Sequence, residues 1–200
     1  MIVDQRAAGE SEGHVITFSV LESRDCLKWI DFVLLSIDPE AKIFLTGISM
    51  GAATVMTAAS MDLPPNVIGI LADCGYTSTQ AIVKKVMRDL HLPPSLLYPP
   101  ARLAARLLGG FDPDSASPIE SMKRCRLPVI FFHGDTDDFV PCSMSEETYA
   151  ACASEHKRLV IVAEAEEDEP APKPEFLALS AFSSLARYQP CCARLTPKSS

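Results

Sequence analysis

Hydrophobic and polar positions along this chain follow two rhythms that take turns. Over residues 20–36, Leu27, Ile30 and Leu34 recur at helical spacing, continued by Ile37, and Asp38-Pro39-Glu40 closes the run. This predicts an amphipathic helix. Short continuous apolar runs come next: Lys42-Ile43-Phe44-Leu45-Thr46, Asn66-Val67-Ile68-Gly69-Ile70-Leu71-Ala72, Pro128-Val129-Ile130-Phe131-Phe132 and Arg158-Leu159-Val160-Ile161-Val162-Ala163. Runs of that length without alternation predict strands buried on both faces. Between them the pattern predicts helices over 50–61, 80–90, 118–125 and 143–153, the third with proline in its first turn. Met1 to Val3 read as the tail end of a strand, and residues 4–13 as a polar loop. Strands that alternate with helices need crossover connections, so the expected class is α/β: a parallel sheet with helices on both faces. No internal repeat is present.

Two stretches depart from the rhythm. Over 91–110, Pro93-Pro94 and Pro99-Pro100 flank short leucine-rich pieces, which reads as a lid-like excursion over the sheet edge. Its leucines suit either an acyl site or plain packing. Beyond Ala163, acids crowd at Glu164, Glu166, Glu167, Asp168 and Glu169, and Pro170, Pro172 and Pro174 follow. Such a stretch is expected to be solvated and partly disordered, with one more helix over 176–188. The expected organisation is a core at 1–163 and a tail at 164–200.

Composition narrows the function. The chain has 200 residues, 48% of them hydrophobic and 22% charged, which suits one folded domain. A net charge of -8 and the absence of a basic face argue against a nucleic-acid partner. The densest cationic run, Lys123-Arg124-Cys125-Arg126, reads as a helix C-terminus. No apolar run is long enough to span a bilayer, and the N-terminus lacks the pattern of a signal peptide. The seven cysteines are odd in number and lack CxxC spacing, so neither a metal site nor a disulfide framework is expected. Free thiols suit a reducing, cytoplasmic compartment. No cofactor is expected.

Candidate chemistry centres on Gly47-Ile48-Ser49-Met50-Gly51. The motif follows an apolar strand and opens a small-residue helix, the context in which a serine is held on a sharp turn with its hydroxyl projecting. Gly47 and Gly51 are expected to remove Cβ atoms that would clash as strand and helix close. Ser49 is then the nucleophile. The N–H of Met50, at the helix start, is an oxyanion donor. The plainer alternative is a glycine-rich turn with an inert serine.

Three blocks together resemble the α/β-hydrolases of the prolyl-oligopeptidase-like and serine-aminopeptidase-like type. They are Asp4-Gln5-Arg6 with Gly9-Glu10-Ser11-Glu12-Gly13, then Gly47 to Gly51, then His133-Gly134-Asp135-Thr136-Asp137-Asp138-Phe139-Val140-Pro141. The resemblance runs from residue 1 to about 163. It implies an α/β-hydrolase fold and a serine hydrolase acting on an ester or short peptide, a small-molecule substrate. It also implies that Asp137, four residues after His133, is the triad acid. Asp137 lies on the turn leaving a strand at the edge that carries Ser49, where a carboxylate orients an imidazole. Asp135 and Asp138 are expected to form the turn, and Asp73 is a fallback acid.

The chain departs from that pattern in its histidines. The family places one just beyond the last strand, where this chain has Glu164-Ala165-Glu166. Only His156 follows Asp137, at the wrong end of its strand. His133 reads as part of its turn and is at best a weak base, and nothing in the sequence draws His14 or His91 to the site. Strands that the family carries before Val3 are also missing, so the pattern predicts a chain shortened at one end and altered at the other, a truncated or misread product. Two readings stay open: a serine hydrolase, or a non-catalytic member of the fold.

Overall fold

A computed structural model describes residues 1–163, which form one compact unit. The acidic tail and the helix expected over 176–188 lie outside the described residues, as do Cys191 and Cys192. The remaining five cysteines are all free thiols.

Four strands make the sheet: β1 (Ile43–Ile48), β2 (Val67–Asp73), β3 (Val129–Gly134) and β4 (Lys157–Val162). They lie in the order β1-β2-β3-β4, and each neighbouring pair is parallel. Six helices join and flank them: α1 (Glu22–Ser36), α2 (Met50–Ala58), α3 (Thr79–Asp89), α4 (Pro94–Leu108), α5 (Pro118–Met122) and α6 (Cys142–Ala151). A 3₁₀ turn, Pro113–Ser115, follows α4. The expected α/β class therefore holds. Parallel pairing has one consequence for function: Ile48, Asp73, Gly134 and Val162 all end at one edge of the sheet, the edge where this architecture places ligands.

The core explains why these runs became strands. Val67, Ile70 and Ala72 of β2 and Val129 and Phe131 of β3 are buried against Ala52, Val55 and Met56 of α2. The alanines of α2 let the helix lie close to the sheet, and Phe131 meets Tyr149 edge-on at 6.1 Å between ring centroids. Each of the buried Val, Ile, Met and Phe side chains contributes roughly 1.5–3 kcal/mol on burial.

Two expectations fail. Met1 to Val3 form no strand: they are exposed and carry no sheet pairing, and a strand without a partner has no ladder to hold it. The 91–110 stretch is not a set of broken pieces but one helix, α4, with Pro99 and Pro100 inside it. Each proline removes a backbone donor and crowds the preceding turn, so tertiary contacts must hold this helix. Arg102 supplies them, gripping Asp112 through two hydrogen bonds of 2.7 Å and pairing with Asp114 at 2.7 Å.

Candidate active site

β1 delivers the chain into a turn at Ser49, whose backbone sits at φ 52° and ψ -111°. That is a left-handed, strained conformation for a residue with a side chain, costing on the order of 1–3 kcal/mol. The turn is tight because Gly47 lies against the helix it precedes: a Cβ at 47 would come within 2.2 Å of the Gly51 carbonyl carbon and 2.7 Å of the Ala52 nitrogen. Gly51 differs from expectation. A Cβ there meets nothing within 4 Å, so the close approach depends on Gly47 alone. The Ser49 N–H donates to the Asp73 carbonyl at 2.8 Å, which ties the turn to the end of β2. Ser49 occupies the N-cap of α2, but its hydroxyl caps nothing. The side chain that would normally satisfy the first turn is left available. Met50 begins the helix, so its N–H is one of the first-turn donors that no intrahelical carbonyl satisfies.

β3 delivers the second group. Asp137 sits in the turn after Gly134, with its side chain about one-quarter exposed. Its Oδ1 accepts from the backbone N–H groups of Phe139 (2.9 Å) and Val140 (2.8 Å). Its Oδ2 lies 3.6 Å from His133 Nε2. Asp135 and Asp138 are both exposed, and the Asp135 N–H donates to the Val162 carbonyl at 3.0 Å, joining the β3 and β4 exits. Asp73, at the end of β2, is half-buried, and burial pushes its carboxyl upward; His133 opposes that shift and Asp137 adds to it. Next to it, burial pushes the Cys74 thiol up to about 11, so it stays protonated beside the Ser49 turn.

The histidines settle into other places. His133 is fully buried, with Nε2 2.7 Å from the Val140 carbonyl and Nδ1 2.6 Å from Ser145 Oγ. A carbonyl only accepts, so Nε2 carries the proton and Nδ1 takes the serine's hydrogen bond. Both nitrogens are occupied, and the ring braces the turn that presents Asp137. His156 precedes β4, and its carbonyl accepts from Val129 at the start of β3. That is the edge opposite Ser49, about 17 Å away along the strand. His14 and His91 are exposed.

An apolar cavity of about 900 Å³ opens beside Ser49. It runs along β1 and is lined by Cys26, Trp29 and Val33 of α1 together with Gln5 and Thr54. No histidine lines it. Gln5 donates to Thr54 at 3.0 Å, and Arg6 grips Asp25 through two bonds of 2.6 Å, so the N-terminal motif residues act as a brace between the first loop, α1 and α2. Among the described residues no group of His, Cys, Asp and Glu is arranged to hold a metal, and no helix is long and apolar enough to cross a membrane.

Strand, strained serine, helix and a carboxylate at one edge of a parallel sheet invite comparison with known proteins. Solved structures superimpose over most of the chain. An esterase of Pyrococcus furiosus matches 92% of it at 18% identity and a TM-score of 0.62, covering 66% of that chain. The esterase domain of a Rhodothermus marinus protein matches 84% at 19% identity and a TM-score of 0.57, covering 69% of that chain. The chain has the α/β-hydrolase fold. An acylaminoacyl peptidase of Pyrococcus horikoshii shares it over 84% of the present chain, at 16% identity and a TM-score of 0.55. In sequence, the uncharacterized protein YqkD of Bacillus subtilis is 27% identical over 150 residues, 74% of the present chain. The chain spans about half of that relative's length, 49%. No family profile matches. Within the α/β-hydrolase fold, the four strands here end at the rim that carries Ser49 and Asp137.

Proposed function

We propose that this chain is a serine hydrolase scaffold whose nucleophile is Ser49, acting on an ester or short peptide. The observation that carries the reading is the backbone of Ser49: φ 52° on a side-chain-bearing residue, locked by Gly47, with a hydroxyl that serves no structural bond. Strain of that kind clusters at functional sites because it aims a group that relaxed backbone would turn away. In this reading the Ser49 oxygen attacks an acyl carbonyl and the Met50 N–H holds the developing oxyanion. Asp137, fixed by two backbone N–H groups, is the acid that would orient an imidazole. The cavity along β1 takes the apolar part of the substrate.

A second reading has its own observation. No histidine lines the cavity beside Ser49, and both ring nitrogens of His133 are held by Val140 and Ser145, so the chain also reads as a non-catalytic member of the fold. Loss of the base leaves roughly 10³–10⁴-fold acceleration over water, from oxyanion binding and positioning alone. The two readings part on one measurement. Treatment of the folded protein with a fluorophosphonate, followed by mass mapping, is expected to place the label on Ser49. Folded protein that stays unlabelled would overturn the hydrolase reading.

A further inference from the structure

Two buried cysteines meet where α5 packs against α6. Cys125 follows α5, Cys152 caps α6, and both belong to the core that holds β3. Backbone and side-chain bonds stitch the two segments together on either side of the pair. The Ala153 N–H donates to the Met122 carbonyl at 3.0 Å, and Arg126 Nη1 donates to the Ala153 carbonyl at 3.0 Å. With residues 122 and 126 both tied to residue 153, Cys125 is turned toward Cys152, and the two thiols are hydrogen-bonded to each other. That bond, with burial behind it, holds the Cys125 thiol above its ordinary range, so it keeps its proton. Around Cys152 the donors converge. The bond from Cys125 first, then the Ser154 N–H and the Lys157 ammonium, draw its thiol down against the pull of burial. Lys157 is fixed beside it, because Nζ donates to the carbonyls of Tyr149 at 2.8 Å and Cys152 at 2.7 Å.

Buried cysteines commonly serve as small apolar fillers. A filler needs no lysine, backbone N–H and second thiol gathered around its sulfur. We propose that Cys125 and Cys152 are an oxidation site, at which hydrogen peroxide closes an intramolecular disulfide. The Cys152 thiolate attacks one peroxide oxygen and the O–O bond breaks. Cys152 becomes a sulfenic acid, and the departing hydroxide recovers the proton that Cys152 gave up. The Cys125 sulfur then attacks the Cys152 sulfur, the S–O bond breaks, and the leaving hydroxide takes the Cys125 proton as water. Two thiols together lose two electrons, and one peroxide is reduced to two waters. Burial selects a small oxidant over a bulky disulfide such as that of glutathione. Three other described thiols lack this activation: burial pushes Cys26 and Cys74 up to about 11 and also raises Cys142. The closed loop from 125 to 152 contains β3, the brace of His133 with Ser145 and the turn that presents Asp137. Oxidation therefore staples the segment that carries the carboxylate of the rim.

The test reads linkage rather than turnover, so its outcome is independent of whether Ser49 reacts. The reduced full-length chain is treated with hydrogen peroxide, alkylated under denaturing conditions and mapped by mass without reduction. The expected product is a link between Cys125 and Cys152 that dithiothreitol reverses, with a thermal midpoint about 5–10 °C above that of the reduced chain. In Cys125→Ser the link is absent and dimedone marks Cys152, whose sulfenic acid has lost the thiol that resolves it. If that variant does not fold, Cys125→Ala takes its place, and the parent's map decides on its own. Peroxide-treated parent in which both thiols are still alkylated overturns the proposal and returns the pair to the role of filler. A link from either cysteine to a third one overturns it too, as does a linked form no more stable than the reduced chain.

Discussion

Ser49 and Gly47 act as one device at the residue scale. The serine's positive φ is maintained because the glycine lets strand and helix meet, so Gly47→Ala must open the turn or push α2 away. A loss of about 2–4 kcal/mol is expected in denaturant unfolding, together with loss of fluorophosphonate labelling. Gly51→Ala is the contrasting case. Its Cβ meets open space in the first turn of a helix, so a gain of roughly 0.5–1 kcal/mol is expected in the same experiment. Asp73 offers a pH test. Burial raises its carboxyl in the folded state, so the protonated form favours folding: that contribution is intact below the unfolded value and is lost as pH rises through the folded one. Asp73→Asn, neutral at every pH, should therefore be more stable than the parent near pH 7, with the advantage gone below about pH 3.5 in matched unfolding curves. The positions of Ser49, Met50 and Asp137 were legible because each sits at a fixed offset from an apolar run that ends at the rim, whereas their chemical roles belong to the proposal. Sequence alone misjudged Gly51, because spacing within a motif does not say which glycine bears the close contact. The brace formed by His133 with Ser145 and Val140 was legible only as a turn, since its partners lie across α6.

The strands and helices show where pattern reading works. Every apolar run became a strand within one or two residues of its expected bounds, because a strand buried by helices and neighbours needs only continuous hydrophobicity. Met1 to Val3 have the same composition but no partner, and composition alone cannot supply one. Helix α4 was missed for the opposite reason: Pro99-Pro100 signals a break, and what overrides it is the pairing of Arg102 with Asp112 and Asp114 in the turn that follows the helix. Arg102→Ala should consequently loosen this element more than the domain. Amide exchange across Pro94–Leu108 is expected to accelerate while exchange in β2 and β3 stays near the parent's. Equal acceleration in the core strands would show that α4 is integral to global stability.

Across the whole molecule, packing and chemistry are separated in space. The core lies between sheet and helices, whereas Ser49, Asp73, Asp137 and the exit of β4 sit on the C-terminal rim. The Val162 carbonyl accepts the Asp135 N–H, so the residue after β4 emerges beside the turn that presents Asp137. Ala163 is exposed there, and placing an imidazole at that point disturbs no core contact. Ala163→His is expected to raise hydrolysis of an activated ester above that of the parent, with a rate that grows as pH rises through the imidazole's range and vanishes when Ser49 is replaced by alanine. An unchanged rate would mean that the rim's spacing, and not only its inventory, falls short. The joined exits of β3 and β4 thus make the rim an interchangeable layer over a self-sufficient base. A group at position 163 can therefore be exchanged for another without touching the core beneath it.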